Sequence, residues 1–238
     1  MPPEPRRTRS CRKSQQMSND RLNPNERETI SEMTTGRLSV YLRCLTFLES
    51  CGQTTVSSAE LADRFHLNSA QIRKDLACFG KSGTRGVGYN VTRLKDHLVR
   101  ELGLDRTRRV LIAGAGNLGM ALADYGGFND HGFAITALID NDPTKIGRRS
   151  RSGIEVLAWE DLPTIVRDQQ VDIGIVAVNA DSAQTVYDAF ADVGLNAVLN
   201  FAPTQLRARP GVKVKSVDLR INLESLSFYL KNVEDGGT

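Results

Sequence analysis

Cysteine is sparse: Cys11, Cys44, Cys51 and Cys78 are the four in 238 residues, with no CxxC pair and no zinc-ligand spacing. A disulfide framework is thereby excluded, and the four read as reduced thiols that mostly fill packing positions. Histidine is scarcer still. His66, His97 and His131 are scattered, with no metal-ligand spacing and no nucleophile motif near them, so neither a metal nor a catalytic residue set is expected. No run approaches the ~20 apolar residues that span a bilayer, and the opening MPPEPRRTRSCRKSQQ lacks the apolar stretch of a secretory signal. These absences point to a cytoplasmic protein with no membrane partner.

What is present is ordinary in bulk and uneven in distribution. A composition of 40% hydrophobic and 25% charged residues is that of a soluble globular chain, and the length favours two domains. The net charge of +3 hides an asymmetry: residues 1–103 carry 17 Lys and Arg against 11 Asp and Glu, and the remainder carries 14 against 17. From Arg64 to Arg100, eight basic residues face only Asp75 and Asp96, as expected of a module that meets a polyanion. Residues 1–35 are polar and basic with no hydrophobic period, and are expected to form a disordered tail.

From Gly36 the pattern becomes helical, with Leu38, Tyr41, Leu42, Leu45 and Leu48 on one face until Gly52. Ser57 and Glu60 then make a capping box ahead of Leu61 and Phe65. After HLN, Asn68 caps a second helix that buries Ile72, Leu76 and Phe79. Two short helices across a tight turn are a helix-turn-helix. The second helix offers Ser69, Gln71, Arg73 and Lys74 to base edges and phosphates in a major groove. The following GKSGTRGVGYNV reads as a basic β-hairpin wing, with Lys81, Arg85 and Tyr89 as contacts to DNA. A helix closed by Gly103 ends this winged-helix domain, residues 36–103.

From Arg109 short β-rich runs alternate with helical segments, which predicts an α/β fold: a Rossmann-like, doubly wound parallel sheet over residues 104–220. Gly114, Gly116 and Gly119 form GxGxxG directly after the strand RVLIA and before a helix. The first glycine permits the tight turn, the second the approach of a pyrophosphate, and the third close packing of helix on strand. Ala115, Asn117 and Leu118 complete the loop. Asp140 ends the next strand, 21 residues after Gly119, where a carboxylate accepts hydrogen bonds from a ribose diol and favours NAD(H) over NADP(H). Arg148, Arg149 and Arg151 are a counter-signal, read here as solvated loop charges. The spare domain is the helix-turn-helix, and too few residues follow the strand series for a substrate domain, so an enzyme is disfavoured. The last segment, NLESLSFYLKN, places Leu223, Leu226 and Leu230 on one helix face and is too apolar to project freely into water.

QIRKDLACFGKSGTRGVGYNV, GAGNLGMALADYGGF, NFAP and VDLRINLESLSFYL, in one chain and in this order, give a sequence that resembles the Rex family of redox-sensing transcriptional repressors. The resemblance covers about residues 33 to 231 and leaves only the basic tail unmatched. It implies a homodimer on a palindromic double-stranded operator, held when the protein is free or NAD⁺-bound and released when NADH closes the dimer. It also implies that the C-terminal helix, within residues 221–238, is swapped into the partner subunit. In family terms the nicotinamide ring is sensed by Tyr125 and the NFAP segment, with Asn200 and Phe201 at the cofactor. Arg43 and Asp218 match a pair that couples the two domains. The family's recognition positions fall on Arg73 and Lys74 and its wing on Arg85. Two other readings stay open: a small NAD-dependent oxidoreductase using Tyr125 or His131 as acid, and a coenzyme A-binding regulatory protein.

Overall fold

The computed structural model describes residues 32–81 and 83–235, with side chains of the last helix as far as Lys231. Residues 1–31, where most of the expected tail falls, lie outside the described part. The chain divides into two compact units between Leu102 and Gly103.

The first unit opens with α1 (Glu32–Ser50), followed by β1 (Thr55–Val56), α2 (Ser58–Phe65), α3 (Ser69–Cys78), β2 (Tyr89–Asn90) and α4 (Val91–Glu101). Helix α1 begins four residues earlier than its hydrophobic period predicts and carries Gly36 inside it. The chain is held there by Arg37, which donates to Thr34 and to Asp75, so a tertiary contact outweighs the low helix propensity of glycine. Its buried residues Leu38, Tyr41, Leu45 and Leu48 share one core with Leu61, Ile72, Leu76, Phe79, Leu94 and Leu98. The caps expected from the sequence form: Ser57 Oγ accepts the Glu60 N–H at 3.0 Å, and Asn68 Oδ1 accepts those of Ala70 and Gln71. Strands β1 and β2 pair antiparallel, and a bridge between Thr84 and Gly88 closes a tight turn that carries Arg85 outside them. This is a winged helix-turn-helix.

One carboxylate ties this unit together. Asp75, 2% exposed in the middle of α3, accepts from Arg37 Nε and Nη2 at 2.6 and 2.9 Å and from the Tyr41 hydroxyl at 2.9 Å. Burial pushes its pKa up, but donors from Arg37, Gln71 and Tyr41 together outweigh that and hold it below the usual carboxylate range. The same bond keeps the Arg37 guanidinium charged, and burial pushes the Tyr41 hydroxyl up.

The second unit contains β3 (Arg108–Ala113), α5 (Asn117–Ala123), a 3₁₀ turn (Gly126–His131), β4 (Phe133–Asp140), β5 (Val156–Ala158), α6 (Leu162–Asp168), β6 (Ile173–Val176), α7 (Ala180–Asp192), β7 (Ala197–Asn200), β8 (Lys213–Ser216) and α8 (Leu219–Asp235). All neighbouring strands are parallel, in the order β5-β4-β3-β6-β7-β8. Strand side chains alternate between faces. Leu111 and Ala113 of β3 therefore join Leu162, Ile165, Tyr187 and Phe190 in one core, and Val110 and Ile112 join Ala115, Ala123 and Leu138 in another. Helices cover both faces, which is why β3 reads as an unbroken apolar run. The described side chains of α8 join neither core.

Removing the Asp75 carboxylate leaves Arg37 and Tyr41 without their acceptor. Asp75→Ala is expected to lower the local stability of α3 by about 3 kcal/mol, the low end for a broken buried ion pair because 33% of the Arg37 side chain is exposed. Urea-dependent hydrogen exchange of the α3 amides in the full chain measures it. The folded pKa lies below the unfolded value of about 3.9, so the stabilisation is fully present above that pH and is lost as pH falls through the folded value. The wild-type advantage should thus be level from pH 7 to about 5 and shrink below about 4; a difference that shrinks between pH 8 and 6 would assign it to another group.

Candidate functional site

The chain runs outward from β3 through β4 to β5, then returns to place β6 on the other side of β3. Adjacent loops at this reversal leave the sheet in opposite directions, and a crevice opens at the carboxyl ends of the strands. A cleft of about 420 Å³ lies there, lined by Gly114 and Gly116, by Asp140 and Lys145, and by Trp159, Val178 and Asn179 among others.

Two of the three glycines are sterically required, each for a different reason, and the third leaves room. Gly114 has φ +102°, and a Cβ on it would lie 2.5 Å from the Ala177 carbonyl oxygen. A Cβ on Gly119 would lie 1.8 Å from the Gly114 carbonyl oxygen, so α5 could not approach the loop. Gly116 borders open space, where backbone is free to meet a ligand.

Asp140 is 8% exposed and closes the loop from the β4 side. Its Oδ2 accepts the Ala115 N–H at 2.8 Å and the Lys145 ammonium at 3.0 Å, and its Oδ1 accepts the Asp142 N–H at 2.9 Å. Burial pushes its pKa up, but the Asp142 N–H, Lys145 and the Ala115 N–H prevail and keep it ionised below the usual range. The carboxylate thus does two things: it fixes the glycine loop and faces the cleft as an anion. A carboxylate beside a glycine loop fits a nucleotide ribose and pyrophosphate. Arg149 pairs with Glu155 and donates to the Gly153 carbonyl, and none of Arg148, Arg149 and Arg151 lines the cleft.

Of the residues singled out from the sequence, the cleft brings together Gly114, Gly116 and Asp140. Ala115 and Gly119 are buried in the loop and the first turn of α5 beside it, where Asn117 and Leu118 lie exposed. Tyr125 is 59% exposed, its ring edge-on to Phe128 at 5.0 Å. Asn200 is 0% exposed and spends its amide on its own turn and on β8: Oδ1 accepts the Ala202 N–H at 2.9 Å, and Nδ2 donates to the Thr204 carbonyl at 2.9 Å and to the Ala202 carbonyl and the Ser216 hydroxyl of β8. It shapes the turn after β7, and half-buried Phe201 packs against the core beneath the loop. Lys145, Trp159 and Asn179 also line the cleft, and no sequence motif marks them. The signal for them is topological: in a doubly wound sheet every strand near the reversal delivers its following loop to the crevice.

In the winged unit Arg73 and Lys74 are exposed on α3, with Arg73 donating to Ser58 Oγ at 3.0 Å. Ser69 is the first residue of α3, and Gln71 in the same turn donates its amide to Asp75 at 2.6 Å. Lys81 is half-buried after α3, and Arg85 is exposed in the Thr84–Gly88 turn. Tyr89 is 9% exposed and belongs to the core at the base of the wing, so it supports the wing and presents little surface of its own. Arg43 is exposed on α1. In the other unit Asp218 precedes α8 and accepts from the backbone N–H and the guanidinium of Arg220, which lowers its pKa.

Helix α8 exposes Leu219, Ile221, Leu223, Leu226, Phe228, Tyr229 and Leu230, each 59–65% accessible, and exposed apolar side chains gathered on one helix in this way mark an interaction surface. Among the described residues no group of His, Cys, Asp and Glu could hold a metal, and no helix is long and apolar enough to cross a membrane.

Residues 29–77 match a family described as "Putative DNA-binding protein N-terminus", and residues 105–204 match one described as "CoA binding domain". A redox-sensing transcriptional repressor Rex of Carboxydothermus hydrogenoformans is 50% identical over 202 residues, which cover 85% of this chain and 97% of the relative. The Rex of Streptomyces coelicolor is 48% identical over 84% of this chain and 77% of its own. Among solved structures, the Rex-family repressor RSP in complex with NAD⁺ and operator DNA is similar with TM-score 0.81 at 35% identity, over 86% of this chain and 94% of that one. RSP in complex with NADH matches with TM-score 0.77 at 34% identity, over 87% and 96%. A winged helix-turn-helix, a Rossmann-like unit and this degree of identity along both place the chain in the Rex family of redox-sensing transcriptional repressors.

Proposed function

We propose that this protein is an NADH-responsive repressor that works in the cytoplasm as a homodimer, binding a palindromic operator when free or NAD⁺-bound and leaving it when NADH fills the cleft. The observation that carries the reading is the presence in one chain of a basic helix-turn-helix and a nucleotide cleft with an ionised Asp140. RSP, complexed once with NAD⁺ and operator DNA and once with NADH, supports the same pairing of ligands. The function is regulatory, so the cleft measures a cofactor and consumes none.

Gly114, Gly116 and the backbone around them would hold the pyrophosphate, with Asp140 at the adenosine ribose. When bound, the cofactor supplies a nicotinamide ring that is cationic when oxidised and neutral when reduced. A ligand shifts DNA affinity only by binding two arrangements unequally, so residues near that ring decide the response. Tyr125 and the Asn200–Phe201 segment take that role, the amide of Asn200 acting by shaping the turn. Arg43 and Asp218 couple the two units. The apolar face of α8 is covered by the second subunit, into which the helix is swapped. Ser69, Gln71, Arg73, Lys74, Lys81 and Arg85 form the DNA surface, with Tyr89 beneath the wing.

Titrating NADH into the operator complex should release the DNA, and NAD⁺ at equal concentration should not; release by NAD⁺ or coenzyme A with no response to NADH would refute the reading. Calorimetry should show that Asp140→Ala weakens NADH binding by about tenfold or more, since a charged hydrogen-bond acceptor is lost and the loop loosened. Arg148→Ala and Arg149→Ala should do less, and the reverse order would make NADPH the ligand. Arg43→Ala and Asp218→Ala should keep NADH affinity within about threefold while abolishing its effect on operator release. Loss of NADH binding would instead put these residues at the cofactor.

A further inference from the structure

Asp75 reaches Gln71 as well as Arg37 and Tyr41. Gln71 Nε2 donates to Asp75 Oδ1 at 2.6 Å, one helical turn away on α3. Only the amide nitrogen can make this bond, because an ionised carboxylate accepts and never donates. Asp75 cannot turn away, since both its oxygens are also held by the Arg37 guanidinium. The Gln71 backbone is fixed as well, its N–H donating to the Asn68 cap at 3.0 Å. Its side chain therefore has one amide orientation, with Oε1 accepting no hydrogen bond from the described residues in the first turn of α3. That turn is the part of a recognition helix that meets base edges.

We propose that Asp75 is a positioning residue that fixes Gln71 as a hydrogen-bond acceptor towards the major groove. The base beside Gln71 in each half-site is then one with an exocyclic amine, adenine or cytosine. Guanine O6 and thymine O4 would oppose one acceptor with another. Arg73 and Lys74, which only donate, cannot make this distinction between amine and carbonyl bases in the same sense. The inference rests on the DNA-binding reading above and adds to it the chemical sense of one contact.

The test begins with selection of operators from a randomised duplex library by the wild-type chain. The selected duplex is then remade with single groups deleted: purine for adenine and 2-pyrimidinone for cytosine remove amines, while 2-aminopurine for guanine and 5-methyl-2-pyrimidinone for thymine remove carbonyls. One amine per half-site is expected whose deletion weakens wild-type binding about tenfold and binding by Gln71→Met less than about twofold. In Asp75→Asn, Arg37 and Tyr41 draw the new carbonyl and leave an amide N–H towards Gln71, so the penalty for the missing amine should fall below about threefold. Should that variant not fold, the Gln71→Met comparison decides alone, because Gln71 lies outside the core. The inference is overturned if no amine deletion depends on Gln71, if the Gln71-dependent group is a carbonyl, or if folded Asp75→Asn keeps the full penalty. A wild-type chain that enriches no sequence would instead overturn the DNA-binding reading itself.

Discussion

The hydrogen bond from the Ala115 N–H to Asp140 joins the glycine loop to the end of β4, and the nucleotide cleft depends on it. Without that acceptor the loop would have a buried donor to satisfy and no reason to hold the turn that Gly114 makes at positive φ. Three donors meet one largely buried carboxylate, and together they outweigh the upward push of burial and keep the charge that faces the cleft. The sheet supplies the frame. Because β3 lies at the reversal of the strand order, the loop, Asp140 and the start of α7 arrive at one crevice although they are far apart in sequence.

The DNA-binding unit uses the same device. Asp75 is a second buried carboxylate that gathers donors from separate helices, Arg37 and Tyr41 on α1 and Gln71 on α3. In each unit an anion deep in the fold holds an element that meets the outside: the glycine loop at the cleft in one, the second helix of the helix-turn-helix in the other. Such a residue has little exposed surface, yet its loss would disturb contacts it does not make itself.

Much of this was legible in the sequence, for reasons that differ by element. The strands read clearly because sheets covered on both faces demand unbroken apolar runs, and the glycine spacing encodes steric needs at single backbone positions. The apolar face of α8 was recognisable as lacking a home, and in the structure it stays exposed. The start of α1 was misplaced because Gly36 suppresses helix propensity locally, while the bond that overrides it comes from Asp75, 38 residues away. Asp75 itself counted as one acid in a basic stretch, since nothing near it in sequence reveals its burial. Lys145 and Asn179 carry no motif of their own, because their place in the cleft follows from strand order alone. Asn200 is legible as belonging to the NFAP turn, but not that its amide is spent on that turn and on Ser216 of β8.

Release of the operator by NADH is a coupling between two binding equilibria, and such coupling is reciprocal. The most direct measurement is calorimetric titration of NADH into the protein with and without saturating operator duplex. NADH should bind more weakly to the DNA-bound protein, by the same factor by which NADH weakens operator binding, while NAD⁺ affinity changes little. Equal NADH affinity in the two titrations would mean that the cleft and the winged helix act independently, and would contradict the account.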